Sequence, residues 1–337
     1  MTDITATSPA AGSCSPEPGR MNHVRNSEAG GASEPRLDHV MCASPAGTHR
    51  MAYWEWGDAD NPRVLLCVHG LTRTGRDFDA LARRLAGSYR VVCPDVVGRG
   101  RSDWLVNPAG YVVPQYVSDM LTLIARLRPA TLDWVGTSMG GLIGMGLAGA
   151  LAMSAAARPA RGDAGLAPDD TLVLGKMVLN DIGPALNGPG LSRIGEYVGQ
   201  PMAFDRFEQA VDYVRTISAG FGPHDDAGWA ELTRHVFVRQ AGQWVKHYDL
   251  RIAEPLAAQT DAVLLASERI LWAAYESIHA PLLILRGELS DLLTADAAAE
   301  MLRRNPGASL HNVAGVGHAP TLRTDKEIAP VVRFLLG

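Results

Sequence analysis

Hydrophobic and polar positions along this chain follow two alternating periods. Short runs of aliphatic and β-branched residues, such as Arg63–Gly70 (RVLLCVHG), Tyr89–Gly98 (YRVVCPDVVG) and Thr131–Thr137 (TLDWVGT), read as buried strands. Stretches with helical spacing follow them, at Asp77–Leu85, at Gln115–Leu127 and through the Ala/Gly-rich segment after Ser138. Further strand-like runs fall at Lys176–Gly183, Ala280–Glu288 and Ser309–Gly315, and Lys326–Leu336 has the spacing of a terminal helix. Upstream of these, Leu37–Ser44 and Met51–Gly57 read as an antiparallel pair. A strand that is apolar on both sides is buried on both faces. Alternating strands and helices therefore call for a mostly parallel sheet with helices on either side.

Two stretches break the alternation. Ala157–Asp170 is rich in Pro, Gly, Ala and Asp and reads as a loop. Pro184–His279 has helical periodicity through Phe204–Ile217, Trp229–Arg239 and Ala262–Ser277 and no strong apolar strand, so a helical insertion is expected there. Residues 1–35 hold almost no aliphatic side chains among their Ser, Pro, Gly, Ala and Glu, the composition of a disordered tail. The expected organisation is an α/β core over 36–183 and 280–337, with a helical cap over 184–279.

Composition narrows the function classes. With 337 residues, 47% of them hydrophobic, the chain can bury a full core. A net charge of −5 and a pI near 6.1 supply no electrostatic reason to expect nucleic acid or an anionic membrane as partner. Neither a signal-type apolar segment nor a membrane-length apolar stretch stands out, and the expected location is cytoplasmic. Cys14, Cys42, Cys67 and Cys93 show no C-x-x-C or metal-ligand spacing, so neither a metal nor a disulfide framework is expected. Homo-oligomerisation is left open.

The candidate chemistry centres on Trp134–Gly141 (WVGTSMGG), where Ser138 sits between glycines two positions away on each side. A serine hydroxyl is a poor nucleophile until a base contacts it, an acid orients the base, and donors face the oxyanion. The expected strand–turn–helix context is the one a Gly-x-Ser-x-Gly nucleophile turn requires. His318, in the Gly-rich VAGVGHAP after the last strand, is the expected base. Strand ends of open α/β sheets are where ligands bind. His224, His235, His247 and His279 read as packing or surface residues. Asp291, in the loop after the strand at 282–285, is the expected acid, and Asp181 in LNDIGP, which ends the preceding strand, is its rival. The backbone N–H groups of Leu71, after His69-Gly70, and of Met139 are the expected oxyanion donors.

The order Ser138, Asp291, His318, together with VHG before it, Asp95-x-x-Gly98-x-Gly100-x-Ser102, GTSMGG, LRGELSD and GVGHAP, resembles the α/β-hydrolase superfamily from about Leu37 to the C-terminus. The resemblance implies an eight-stranded, mostly parallel sheet with Pro184–His279 as a cap over the site. It also implies a cofactor-free serine hydrolase acting through an acyl-enzyme on a small to medium carboxylic ester or lactone, hydroxyalkanoate oligomers and aryl esters included. A serine in place of aspartate argues against the dehalogenase and epoxide-hydrolase branches. Arg73 in LTRTGR and Ala319 after the histidine depart from the hydrolases of meta-cleavage products, which remain the alternative on this fold, beside cofactor-free haloperoxidases and, outside catalysis, a ligand receptor. Arg73, as a partner for a substrate carboxylate or hydroxyl, and Trp272, in an aromatic ceiling, are the expected substrate contacts.

Overall fold

The computed structural model describes residues 34–157, 172–185 and 188–337. The expected tail up to residue 33, with Cys14, and the expected loop over 158–170 lie outside the described residues. The core opens with β1 (Arg36–Ser44), β2 (Gly47–Trp56), β3 (Arg63–Val68), α1 (Asp79–Leu85), β4 (Arg90–Pro94), α2 (Val113–Leu127), β5 (Thr131–Thr137), α3 (Met139–Ala157) and β6 (Leu174–Asn180). The insertion carries α4 (Gly188–Val198), β7 (Ala203–Phe204), α5 (Phe207–Ile217), α6 (Asp226–Arg234), β8 (Phe237–Gln240), β9 (Gln243–Lys246), α7 (Ala253–Ala257) and α8 (Asp261–Glu276). The chain closes with β10 (Leu282–Gly287), α9 (Ala295–Arg304), β11 (Ala308–Val313) and α10 (Asp325–Leu336).

Eight strands form one sheet in the order β1-β2-β4-β3-β5-β6-β10-β11. β1–β2 and β2–β4 pair antiparallel, and every pair from β4 to β11 is parallel. From β3 the chain steps to one side for β4 and then to the other for β5. The C-terminal ends of β3 and β5 therefore flank the point where the winding reverses, the usual place for a ligand crevice.

The apolar strands pack on both faces. Val64, Leu66 and Val68 of β3 join the layer with α2 and α3, whereas Leu65 and Cys67 join the layer with α1 and α10. Each fully buried leucine of this kind stabilises the fold by roughly 1.5–3 kcal/mol. Trp134 of β5 is buried beneath α3 and donates its indole N–H to the Gly140 carbonyl at 3.2 Å. α3 is long and apolar enough to cross a membrane by length and composition, at a mean hydropathy of 1.5, which the sequence expectation overlooked. It packs here against β5, α2 and α8.

The insertion departs from the expected all-helical cap in two ways. β7, β9 and β8 form a three-stranded antiparallel sheet. Its β8–β9 turn places Ala241 and Gly242 at φ 49° and 88°, the left-handed pair that a two-residue hairpin turn needs. In addition, α8 lies against α3, so it covers the main sheet instead of roofing the crevice. The roof is α4 to β9, with a core of its own made by Phe204, Tyr213, Trp229, Leu232 and Phe237. Backbone bonds tie it down: Gly100 N–H donates to the His247 carbonyl (3.0 Å) and Asp249 N–H to the Gly98 carbonyl (2.8 Å).

Candidate active site

Ser138 occupies the single residue between β5 and α3, at φ 52°. A left-handed non-glycine residue is strained, and the surrounding turn must hold it. Two glycines make that turn feasible. A Cβ on Gly136 would run into the Gly140 carbonyl, and a Cβ on Gly140 would run into the Val68 carbonyl of the neighbouring strand. The hydroxyl is thereby presented at the N-terminus of α3, with Ser138 N–H donating to the Asn180 carbonyl at 3.0 Å.

His318 reaches this turn from the loop after β11. Its Nε2 lies 3.0 Å from Ser138 Oγ and its Nδ1 lies 2.7 Å from Asp181 Oδ2. The expected acid, Asp291, is elsewhere. It forks onto Arg193 of α4, with Nε–Oδ2 2.6 Å and Nη2–Oδ1 2.9 Å, and this pair joins the roof to the loop after β10. Asp291 is thus corrected to a roof contact, and the rival Asp181 takes the seat beside the histidine. The reason is position along the strand. Asp181 follows β6 directly, fully buried at φ 57°, and its carboxylate also accepts Gly287 N–H (2.8 Å) and the Ser290 hydroxyl (2.6 Å). Asn180 next to it donates from Nδ2 to Thr137 Oγ1 (2.9 Å) and to the Pro320 carbonyl (2.8 Å), bracing the serine turn and the histidine loop together.

The loop after β3 carries Leu71, one of the two expected oxyanion donors. Among the described residues, neither Leu71 N–H nor Met139 N–H has a protein acceptor. A Cβ on Gly70 would stand 3.7 Å from that of Ser138, so this loop lies against the nucleophile turn. His69, fully buried, holds the loop: its Nε2 accepts Val96 N–H (2.9 Å) and its Nδ1 pairs with the Gly70 carbonyl (2.7 Å). Burial pushes its pKa down to about 4. Beneath sits Arg99, fully buried, with Nε donating to the Leu71 carbonyl (2.8 Å), Nη1 to the Val97 carbonyl (2.7 Å) and Tyr116 hydroxyl (3.0 Å), and Nη2 reaching Met139 Sδ (3.5 Å). It touches both Leu71 and Met139, the two residues expected to supply the oxyanion donors. Arg99 and Asn180 were missed in the sequence. The signal for Arg99 was a charged residue set between the two glycines of the Asp-x-x-Gly-x-Gly-x-Ser turn.

That turn is a brace. Asp95 accepts Gly75 N–H (2.8 Å), Arg101 N–H (2.9 Å) and the Trp54 indole (3.2 Å), while Ser102 Oγ donates to the Asp95 carbonyl and accepts Ala52 N–H.

Between the turn and the roof lies a cleft of about 780 Å³, its mouth included, lined by Leu71, Ser138, Tyr197, Phe221, Tyr248 and His318 among others. Arg73 lines it as expected, but its guanidinium is occupied by Asp77 (2.7 Å twice) and the Leu232 carbonyl (2.7 Å). Trp272 is not among the lining residues. It stands on α8 against Tyr275 and Arg304, because that helix belongs to the core, and its expected substrate contact is withdrawn.

The fold agrees with the comparisons to known proteins. The model of the alpha/beta hydrolase family matches residues 65–331. The chain belongs to the α/β hydrolase family. It is 50% identical to a 3-hydroxybutyrate-oligomer hydrolase of Cupriavidus necator, over 91% of this chain and 99% of that protein. An esterase of Mycobacterium tuberculosis is 27% identical over 83% of this chain and 84% of its own length. The crystal structure of an α/β hydrolase from Novosphingobium aromaticivorans superposes with a TM-score of 0.73 at 35% identity, over 91% of this chain and 99% of that one.

Proposed function

We propose that the protein is a serine esterase that cleaves short linear esters of hydroxyalkanoic acids, 3-hydroxybutyrate oligomers first among them. The observation that carries the chemistry is the unbroken path Ser138 Oγ, His318 Nε2, His318 Nδ1, Asp181 Oδ2 at the winding reversal. The substrate class comes from the half-identical relative of Cupriavidus necator, named for 3-hydroxybutyrate oligomers.

An ionised carboxylate only accepts hydrogen bonds, so Asp181 keeps the imidazole proton on Nδ1 and leaves Nε2 to take the serine proton. Ser138 Oγ then bonds to the ester carbonyl carbon, and the carbonyl oxygen becomes an anion facing Leu71 and Met139 N–H and the N-terminus of α3. The tetrahedral centre collapses by breaking the bond to the alcohol oxygen, which receives the proton from His318 Nε2. Water enters, His318 takes its proton, and the hydroxyl bonds to the acyl carbon. Ser138 leaves with the proton returned, releasing the acid. No cofactor or metal is required for these steps.

The test is fluorophosphonate labelling and 3-hydroxybutyrate dimer hydrolysis by wild type and Ser138→Ala. Labelling and turnover are both expected to disappear in the variant while its circular dichroism is retained. Undiminished hydrolysis by Ser138→Ala would refute the mechanism.

A further inference from the structure

Among the described residues, three cations line the cleft, Arg73, Arg193 and Lys246, and none of the lining residues is acidic. Arg73 and Arg193 each arrive with a carboxylate already forked onto the guanidinium, Asp77 and Asp291 respectively. Lys246 of β9 does not. Among the described residues no Asp or Glu forms an ion pair with it. Its Nζ donates to the carbonyls of Tyr197 (2.6 Å) and Gln200 (2.8 Å) and stands 5.5 Å from the ring centres of both Tyr213 and Tyr248. An ammonium has three N–H donors, so one is uncommitted. The residue is only 8% exposed.

A buried charge without a counter-ion is expensive, and the protein meets the cost here with carbonyl oxygens and tyrosine faces. Desolvation pulls the lysine pKa down to about 8, which leaves it mostly charged at neutral pH. Among the described residues, an anion entering the cleft finds one cation ready to receive it, and the two arginines are already neutralised.

We propose that Lys246 anchors the terminal carboxylate of the substrate, so that the cleft prefers hydroxyacid oligomers as free acids over their neutral esters. A linear hydroxyacid oligomer carries one carboxylate, at the end of its alcohol-side unit. Seating that end on Lys246 fixes which ester bond is offered to Ser138. The proposal rests on the esterase reading above and adds the group that selects among esters. A competing role is purely mechanical. Tyr197 and Gln200 lie at and just beyond the end of α4, where a lysine also suits the unpaired carbonyls of a helix terminus.

Wild type, Lys246→Met and Lys246→Arg are compared on the 3-hydroxybutyrate dimer as free acid, on its methyl ester, and on p-nitrophenyl butyrate. The quantity read is the ratio of kcat/KM for the free acid to that for the methyl ester. It is expected to fall about tenfold or more in Lys246→Met, the worth of one charge-assisted hydrogen bond, with the change in KM. Lys246→Arg should recover part of it. A lysine that only pins α4 lowers both substrates alike and leaves the ratio at the wild-type value, which overturns the proposal. A wild-type ratio of one or below overturns it without any variant. Turnover of p-nitrophenyl butyrate in either of those cases means that the esterase stands and the anchor falls. Absence of turnover on all three esters removes the esterase reading, and the anchor with it.

Discussion

Asp181, at the end of β6, and His318, 137 positions later in the chain, meet at 2.7 Å in a place where the carboxylate is sealed from solvent. Asp181→Asn should therefore lower kcat by roughly 10³–10⁴-fold, because an amide there favours the wrong imidazole tautomer. Asp291→Asn removes one half-exposed ion pair, worth about 1 kcal/mol or less, and should change kcat/KM by no more than about fivefold. Steady-state kinetics on p-nitrophenyl butyrate would show the reverse order if Asp291 were the acid.

Gly140→Ala tests the turn. Alanine is ordinarily better than glycine in a helix by about 1 kcal/mol. Here its methyl group meets the Val68 carbonyl. Overpacking of this kind costs about 1–3 kcal/mol, so urea unfolding should show a less stable protein, and esterase activity should drop with the displaced serine. A stabilised, fully active variant would contradict the geometry.

Arg99→Met isolates the support beneath the proposed oxyanion donors. The thioether fills part of the space but leaves the Leu71 and Val97 carbonyls without their donor. The expected result is a kcat lower by about 10–100-fold with KM nearly constant, since the loss falls on an interaction made in the transition state. A change confined to KM would place Arg99 in substrate binding.

Acid should loosen the same loop. The folded chain keeps His69 neutral down to about pH 4, against 6.5 when it is free. Between those values the unfolded chain binds a proton that the folded chain refuses. Stability is therefore whole above pH 6.5 and falls as the pH drops, by roughly 3 kcal/mol over the window. The fall in Tm from pH 7 to 4.5 should be smaller in His69→Gln than in wild type, and equal slopes would assign the acid sensitivity to other groups.

Much of the fold was legible because each core strand is apolar on both faces, as in RVLLCV and LLILRG, and is flanked by helical spacing. Ser138 and His318 were legible because their glycine-rich turns leave few other readings. The acid was not. β6 and β10 are parallel neighbours, with Asn180 opposite Leu285, so Asp181 and Asp291 both emerge at the C-terminal end of the sheet. What decides between them is the place of Asp181 directly after β6, together with the donors from Gly287 and Ser290, distant in sequence. The roof strands were missed because they are short and half-exposed, with AG in the turn as their one mark. Trp272 was misplaced because a helix lying on the core and a helix roofing a cleft share the same periodicity.

The Gly98–Gly100 segment is clasped by His247 and Asp249 of the insertion on one side and, through Arg99, grips Leu71 on the other. Roof and oxyanion loop thus share a hinge pin. An oversized acyl group that levered the roof upward would then also draw the proposed donors away from the carbonyl it needs. Size discrimination in this enzyme should then be felt as slower chemistry on bound substrate, with poor substrates acting as occupants that linger without reacting.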